Sequence, residues 1–204
     1  MASEPGRLRS LEANAPNLFL VGAALYAVFV ASEILATYTG TSLPQAELFA
    51  SVATVLVPLG LLGLYSVLAE RRPYLSRAAA VLVVIAAVCW SIVVVGAGIL
   101  EPTGVLTGPP GPLVLTPFVG MATLYLGYAL FGISALLADV HPKAVGVLLL
   151  VAAVSVPLVR IVLTGLPSFV ANVVNLAAYL GIGIVLLNTD VPTDGVETPT
   201  DPTA

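Results

Sequence analysis

Arg160 is the only basic residue inside an apolar run of this chain; the other bases fall in polar segments. A guanidinium in such surroundings offers a fixed positive charge and a fork of N–H donors, which suits anion binding or gating. Glu33, inside an earlier apolar run, carries the opposite charge and is its expected partner. Asn172 and Asn175 stand at i, i+3 and share one helix face. Tyr179 continues that face one turn further. Pro58 and Pro157 each remove a backbone donor and free a carbonyl one turn earlier. Both lie in a Val-Pro-Leu triplet, Val57-Pro58-Leu59 and Val156-Pro157-Leu158, and both mark expected helix kinks.

Arg160, Glu33, Asn172, Asn175 and Tyr179 therefore form a candidate polar cluster. Glu47 and Glu101 are expected to cap helices at the same surface. A plainer reading stands beside each member. Arg160 and Glu33 could be a purely structural pair, or Arg160 could snorkel to the interface. The asparagines could make interhelical hydrogen bonds worth about 1 kcal/mol each. The prolines could be packing kinks, and Tyr125, Tyr128 and Trp90 read as core or lipid contacts.

Catalytic chemistry finds little footing. His141 is the only histidine, in His141-Pro142-Lys143, where it is expected to be solvated. Paired-histidine haem ligation and an H-E-x-x-H zinc site are therefore excluded. Gly132-Ile133-Ser134-Ala135 lacks the later histidine that an intramembrane serine protease needs. Lys143 lies in a loop, so no buried lysine is present to hold retinal. No catalytic residue, metal site or cofactor is expected, and the chain is not expected to be an enzyme. Cys89 is the single cysteine and forms no internal disulfide. No basic patch with interleaved aromatics points to nucleic acid.

The elements that must position these residues follow from composition. The chain is 59% hydrophobic and 9% charged, with mean hydropathy +1.08. A soluble domain carries roughly a quarter charged residues, so the expected solvent is the lipid bilayer. The apolar runs are 17–38, 47–68, 78–100, 113–137, 144–164 and 169–187. Each approaches the roughly 20 residues that span a bilayer core. They are apolar all round, without the alternation of a transmembrane barrel, so the backbone must be satisfied in helices. The expected fold is an all-α membrane protein: a bundle of six transmembrane helices over 17–187, without a soluble domain.

Arg7 and Arg9 lie in the segment 1–16, Arg71, Arg72 and Arg77 in the loop 69–77, and Lys143 after the fourth run. The alternate loops 39–46, 101–112 and 165–168 hold no Lys or Arg. The positive-inside rule then places both termini in the cytoplasm, N-in and C-in. Segment 1–16 is expected as a frayed cytoplasmic terminus, and the acidic, proline-containing 188–204 as a disordered cytoplasmic tail. The Gly- and Pro-rich loop 101–112 is expected as an outer connector, with a lid as the alternative. At about 1.5 Å rise per residue, Arg160 and Glu33 fall within roughly 6–8 Å of the outer interface. Gly60-x-x-Gly63, Gly127 with Gly132, and Gly181-x-Gly183 are expected as seats for close helix contact. Two internal repeats compete. Leu68-Ala69-Glu70-Arg71-Arg72-Pro73 parallels Leu137-Ala138-Asp139-Val140-His141-Pro142, while the two Val-Pro-Leu triplets suit inverted halves of three helices, a transporter pattern.

Three further stretches carry a resemblance: Leu64-Tyr65-Ser66-Val67-Leu68 before Pro73, Gly127-Tyr128-Ala129-Leu130-Phe131-Gly132, and Pro142 leading into Gly146-Val147-Leu148. In these the chain resembles a group of uncharacterised six-helix prokaryotic, haloarchaeal-like integral membrane proteins. The resemblance spans 17–187 and implies the same fold but no catalytic residues. Three function classes remain. The leading expectation is a structural or accessory component of the cytoplasmic membrane, with a membrane-protein partner or a second copy as company. The next is a small-solute or ion transporter or channel with a polar vestibule in its outer half. The last is a membrane sensor.

Overall fold

A computed structural model of the chain describes residues 4–43, 45–96, 100 and 114–189, with side chains from Leu11 onward. The expected outer loop, Glu101 and the acidic tail from 190 lie outside these residues. The described residues form helices and connectors without a strand. The helices are α1 (Glu4–Thr39), α2 (Ala46–Arg71), α3 (Pro73–Val95), α4 (Thr116–Ala138), α5 (Lys143–Pro157) and α6 (Phe169–Leu187). Among the described residues, six helical spans are long and apolar enough to cross a membrane; the fifth is α5 extended by a π-helical turn, Leu158–Val162.

Backbone chemistry fixes several boundaries. Where the sequence suggests a loop over 69–77, Arg72 alone separates α2 from α3, at φ −138° and ψ 66°. Pro73 suits a first helical position because its missing N–H would have no partner there. It also disfavours helical backbone at the residue before it. Gly40 ends α1 at φ +71°, a left-handed position that favours glycine. Its N–H reaches Ala36 O at 3.0 Å.

Two expectations need correction. The segment before residue 17 is not frayed: α1 starts at Glu4 and runs through Pro16. It is held by α2, where Gly63 leaves the space. A Cβ at Gly63 would lie 2.6 Å from Leu11 O and 2.9 Å from the Ala15 Cβ. Ala15 is accordingly buried. The fifth run is not one regular α-helix to residue 164. After Pro157 the backbone widens into the π turn, closed by Leu163 N–H to Leu158 O at 2.9 Å.

Each helix packs on its neighbours in the chain, and α6 packs on α1, which closes a ring in chain order. This order sets α2 and α5, the helices of Pro58 and Pro157, on opposite walls. Phe19, Leu61, Phe131, Leu149 and Ile182 fill the ring and are fully buried. Val81, Val88, Phe118, Ile161 and Leu187 point outward and are exposed. Apolar side chains both inside and outside are what a bundle in lipid requires.

Candidate functional site

The helices hold a polar network between them at the ring centre. On α1, the Tyr26 hydroxyl donates to Asn172 Oδ1 on α6 at 2.7 Å. The Asn172 amide in turn donates to the Glu33 carboxylate, again on α1. Asn175, one turn deeper on α6, accepts from Ser155 Oγ on α5 at 2.6 Å. Its amide makes a long contact of 3.5 Å to the Tyr125 hydroxyl on α4. The Tyr128 and Tyr179 hydroxyls lie 3.0 Å apart, joining α4 to α6. Edge-to-face ring contacts link Tyr26 to Tyr179, Tyr179 to Tyr128 and Tyr128 to Tyr125.

Such a network is what burial in lipid demands. An unpaired polar tip there costs several kcal/mol on the order of its full desolvation, so each hydroxyl or amide finds a neighbour. Asn175 and Tyr179 are buried almost completely, and Asn172 nearly so.

Glu33 does not pair with Arg160. Its carboxylate is taken by Asn172, because α6 stands between α1 and α5 in the ring. Arg160 lies on the π turn, exposed, with no carboxylate at ion-pair distance among the described residues.

Arg160 instead forms part of the wall of a cavity of about 130 Å³. Every helix gives that wall a residue. They are Tyr26 from α1, Thr54 from α2, Trp90 from α3, Tyr125 from α4, Arg160 from the turn after α5, and Asn172 from α6. Tyr179 lies at the cavity too, so Arg160, Asn172 and Tyr179 of the expected cluster share one space. Glu33 and Asn175 stand behind it as hydrogen-bond partners. Pro58 is buried in α2, and the carbonyl it leaves without a helix partner is that of Thr54, a wall residue. Pro157 contributes differently, as the last α-helical residue before the turn that carries Arg160.

A cleft of about 470 Å³ adjoins this cavity between the end of α1 and the start of α2, with Glu33, Ser32, Gln45 and Glu47 in its wall. Phe29 belongs to both walls. Among the described residues no group of three His, Cys, Asp or Glu side chains is placed to hold a metal.

Sequence reading did not single out Tyr26 or Ser155, and it took Tyr125, Tyr128 and Trp90 as core or lipid contacts; Tyr128 is core, but the hydroxyl partners of the tyrosines were not foreseen. The tyrosines are aromatic residues in aromatic-tolerant runs, and their hydroxyl partners lie far along the chain. Trp90 carries one signal of its own. Its Nε1 is buried and has no hydrogen-bond partner among the described residues. A Cβ at Gly120 would lie 3.2 Å from that nitrogen, so the indole edge is pressed against α4.

No family model, curated protein or solved structure matches this chain. The site is therefore read from its own chemistry.

At the end of the ring away from the cavity, polar contacts tie neighbouring helices together. Ser76 and Ser134 hydroxyls meet at 2.8 Å between α3 and α4. Arg72 reaches Leu137 O at 3.3 Å. On α1, Glu12 accepts from Ser66 Oγ of α2 at 3.0 Å. His141, expected to be solvated, is half-buried, and its Nε2 is buried without a partner among the described residues. The early turns of α1 bring Glu12 near it. Burial pushes the His141 imidazole below its ordinary pKa, and the Glu12 charge offsets part of that.

Proposed function

We propose that the protein is a multi-pass protein of the cytoplasmic membrane that admits a small solute into the cavity on its ring axis. It acts as a transporter or channel, in a form open outward and closed toward the cytoplasm. One observation carries this reading: a cavity is walled by all six helices and holds an arginine without a carboxylate partner among the described residues. Binding sites between helices of a bundle have this form. The basic residues Arg71, Arg72, Arg77 and Lys143 support the orientation, since they gather at the end away from Arg160.

A second reading, an accessory membrane component, has its own support. Most polar tips of the tyrosine and asparagine network satisfy one another, which is enough to lock a bundle together. It leaves the placement of Arg160 without a purpose.

Swelling of proteoliposomes separates the two. Propionate, glycerol, urea and chloride are presented in turn, with empty liposomes as the baseline. At least one solute enters faster through the wild type, and Ala50→Phe, which fills the cavity wall, removes the excess while the helix content is kept. Baseline swelling with all four solutes would leave the accessory reading in place.

A further inference from the structure

The cavity is chemically divided. At one side stands the Arg160 guanidinium, without an ion-pair partner among the described residues. The Tyr125 hydroxyl belongs to the same wall. That hydroxyl takes a long 3.5 Å contact from the Asn175 amide, and it donates to no acceptor among the described residues. The other polar wall groups are committed. Asn172 uses its amide on Glu33 and its carbonyl on Tyr26. Thr54 gives its proton to backbone carbonyls of its own helix. The Trp90 nitrogen is sealed against Gly120 rather than open to the space. Tyr26 gives its proton to Asn172, and the Tyr179 hydroxyl shares a hydrogen bond with Tyr128; the rest of the wall, Phe29, Ala50, Met121, Leu124 and Val156, is apolar.

We infer that the cavity is a binding site for a small monocarboxylate, with Arg160 and the Tyr125 hydroxyl on its carboxylate and the apolar wall around its short hydrocarbon body. One guanidinium and one phenol proton match one carboxylate in charge and in donor number. A dianion such as sulfate would bring a second charge against an apolar wall, which is costly without a second cation. A volume of about 130 Å³ holds a few water-sized groups, enough for a short acid and too little for a long chain. This inference rests on the solute-admitting reading and names its substrate class.

The chain carries its own reporter, because Trp90 is the only tryptophan and stands in the cavity wall. The full chain in nanodiscs is titrated with sodium propionate, propionamide and sodium sulfate at constant ionic strength. Trp90 emission and the thermal midpoint are followed together. Propionate is expected to give a saturable change in both, and the amide and sulfate none. Arg160→Gln is expected to raise half-saturation by about tenfold or more, as for loss of a charge-assisted contact. Tyr125→Phe raises it by a smaller factor. Equal response to propionamide or sulfate, or an unchanged Arg160→Gln, overturns the monocarboxylate assignment and leaves solute entry standing. Absence of any saturable change, together with solute entry in the swelling assay, also overturns it alone. Absence of both overturns this assignment and the transport reading together.

Discussion

Arg160 and Asn175 separate two jobs that polar residues do in a membrane bundle. Asn175 is fully buried and joins α6 to Ser155 on α5 and Tyr125 on α4. Asn175→Leu removes both contacts at once and leaves the Ser155 hydroxyl only the Ala152 carbonyl of its own helix. The expected cost is about 1–3 kcal/mol, read as a lower unfolding midpoint in detergent. Arg160 has no such partners among the described residues, so Arg160→Gln is expected to leave yield and midpoint unchanged within about 0.5 kcal/mol. A large loss of folded protein in that variant would show a structural role. The cluster members were legible because a charge or an amide in an apolar run is conspicuous. Their pairing was not, since the choice of Asn172 over Arg160 by Glu33 depends on which helices are neighbours.

At the scale of elements, glycine seats and proline breaks decide how the helices meet. Gly63 holds the early turns of α1 against α2, so Gly63→Leu is expected to separate them and lower the midpoint by several degrees, by about 2–4 kcal/mol of lost packing and overpacking strain. Gly96, around which a Cβ would meet nothing within 4 Å, serves as the control: Gly96→Ala is expected to change little. The same early turns bring Glu12 to His141 in the α4–α5 turn. The neutral imidazole is the form favoured by the fold. Its contribution is therefore present above about pH 6.5 and is lost as the pH falls from there through the lower folded value. Between about pH 7.5 and 5, the midpoint of wild type is expected to fall more steeply than that of His141→Phe. Equal slopes would remove this role. Hydropathy made the spans readable, and Pro73 made the α3 start readable in hindsight. The helical 4–16 was hidden because its polar surface resembles a free terminus, and only the glycines of α2 give it a seat. The π turn was hidden because Pro157 announces a break without saying which backbone follows.

At the scale of the whole molecule, the ring closed by α1 and α6 gathers residues from every helix around one space. The six apolar runs and the all-helical class were legible, since lipid leaves the backbone few ways to be satisfied. Ring order was not, because lateral neighbours in a bundle leave little trace in hydropathy. The place of the tyrosines and Trp90 in one wall was hidden for the same reason. The central claim is that this space is reached by water from the side away from the basic loops, and thiol labelling tests it most directly. In a Cys89→Ser background, Thr54→Cys places one thiol in the cavity wall. A charged, membrane-impermeant thiol reagent is applied to intact cells and, separately, to inside-out vesicles. The account predicts labelling in cells and protection in inside-out vesicles. Labelling from the cytoplasmic side alone, or none from either side in a protein that labels fully once denatured, would contradict it.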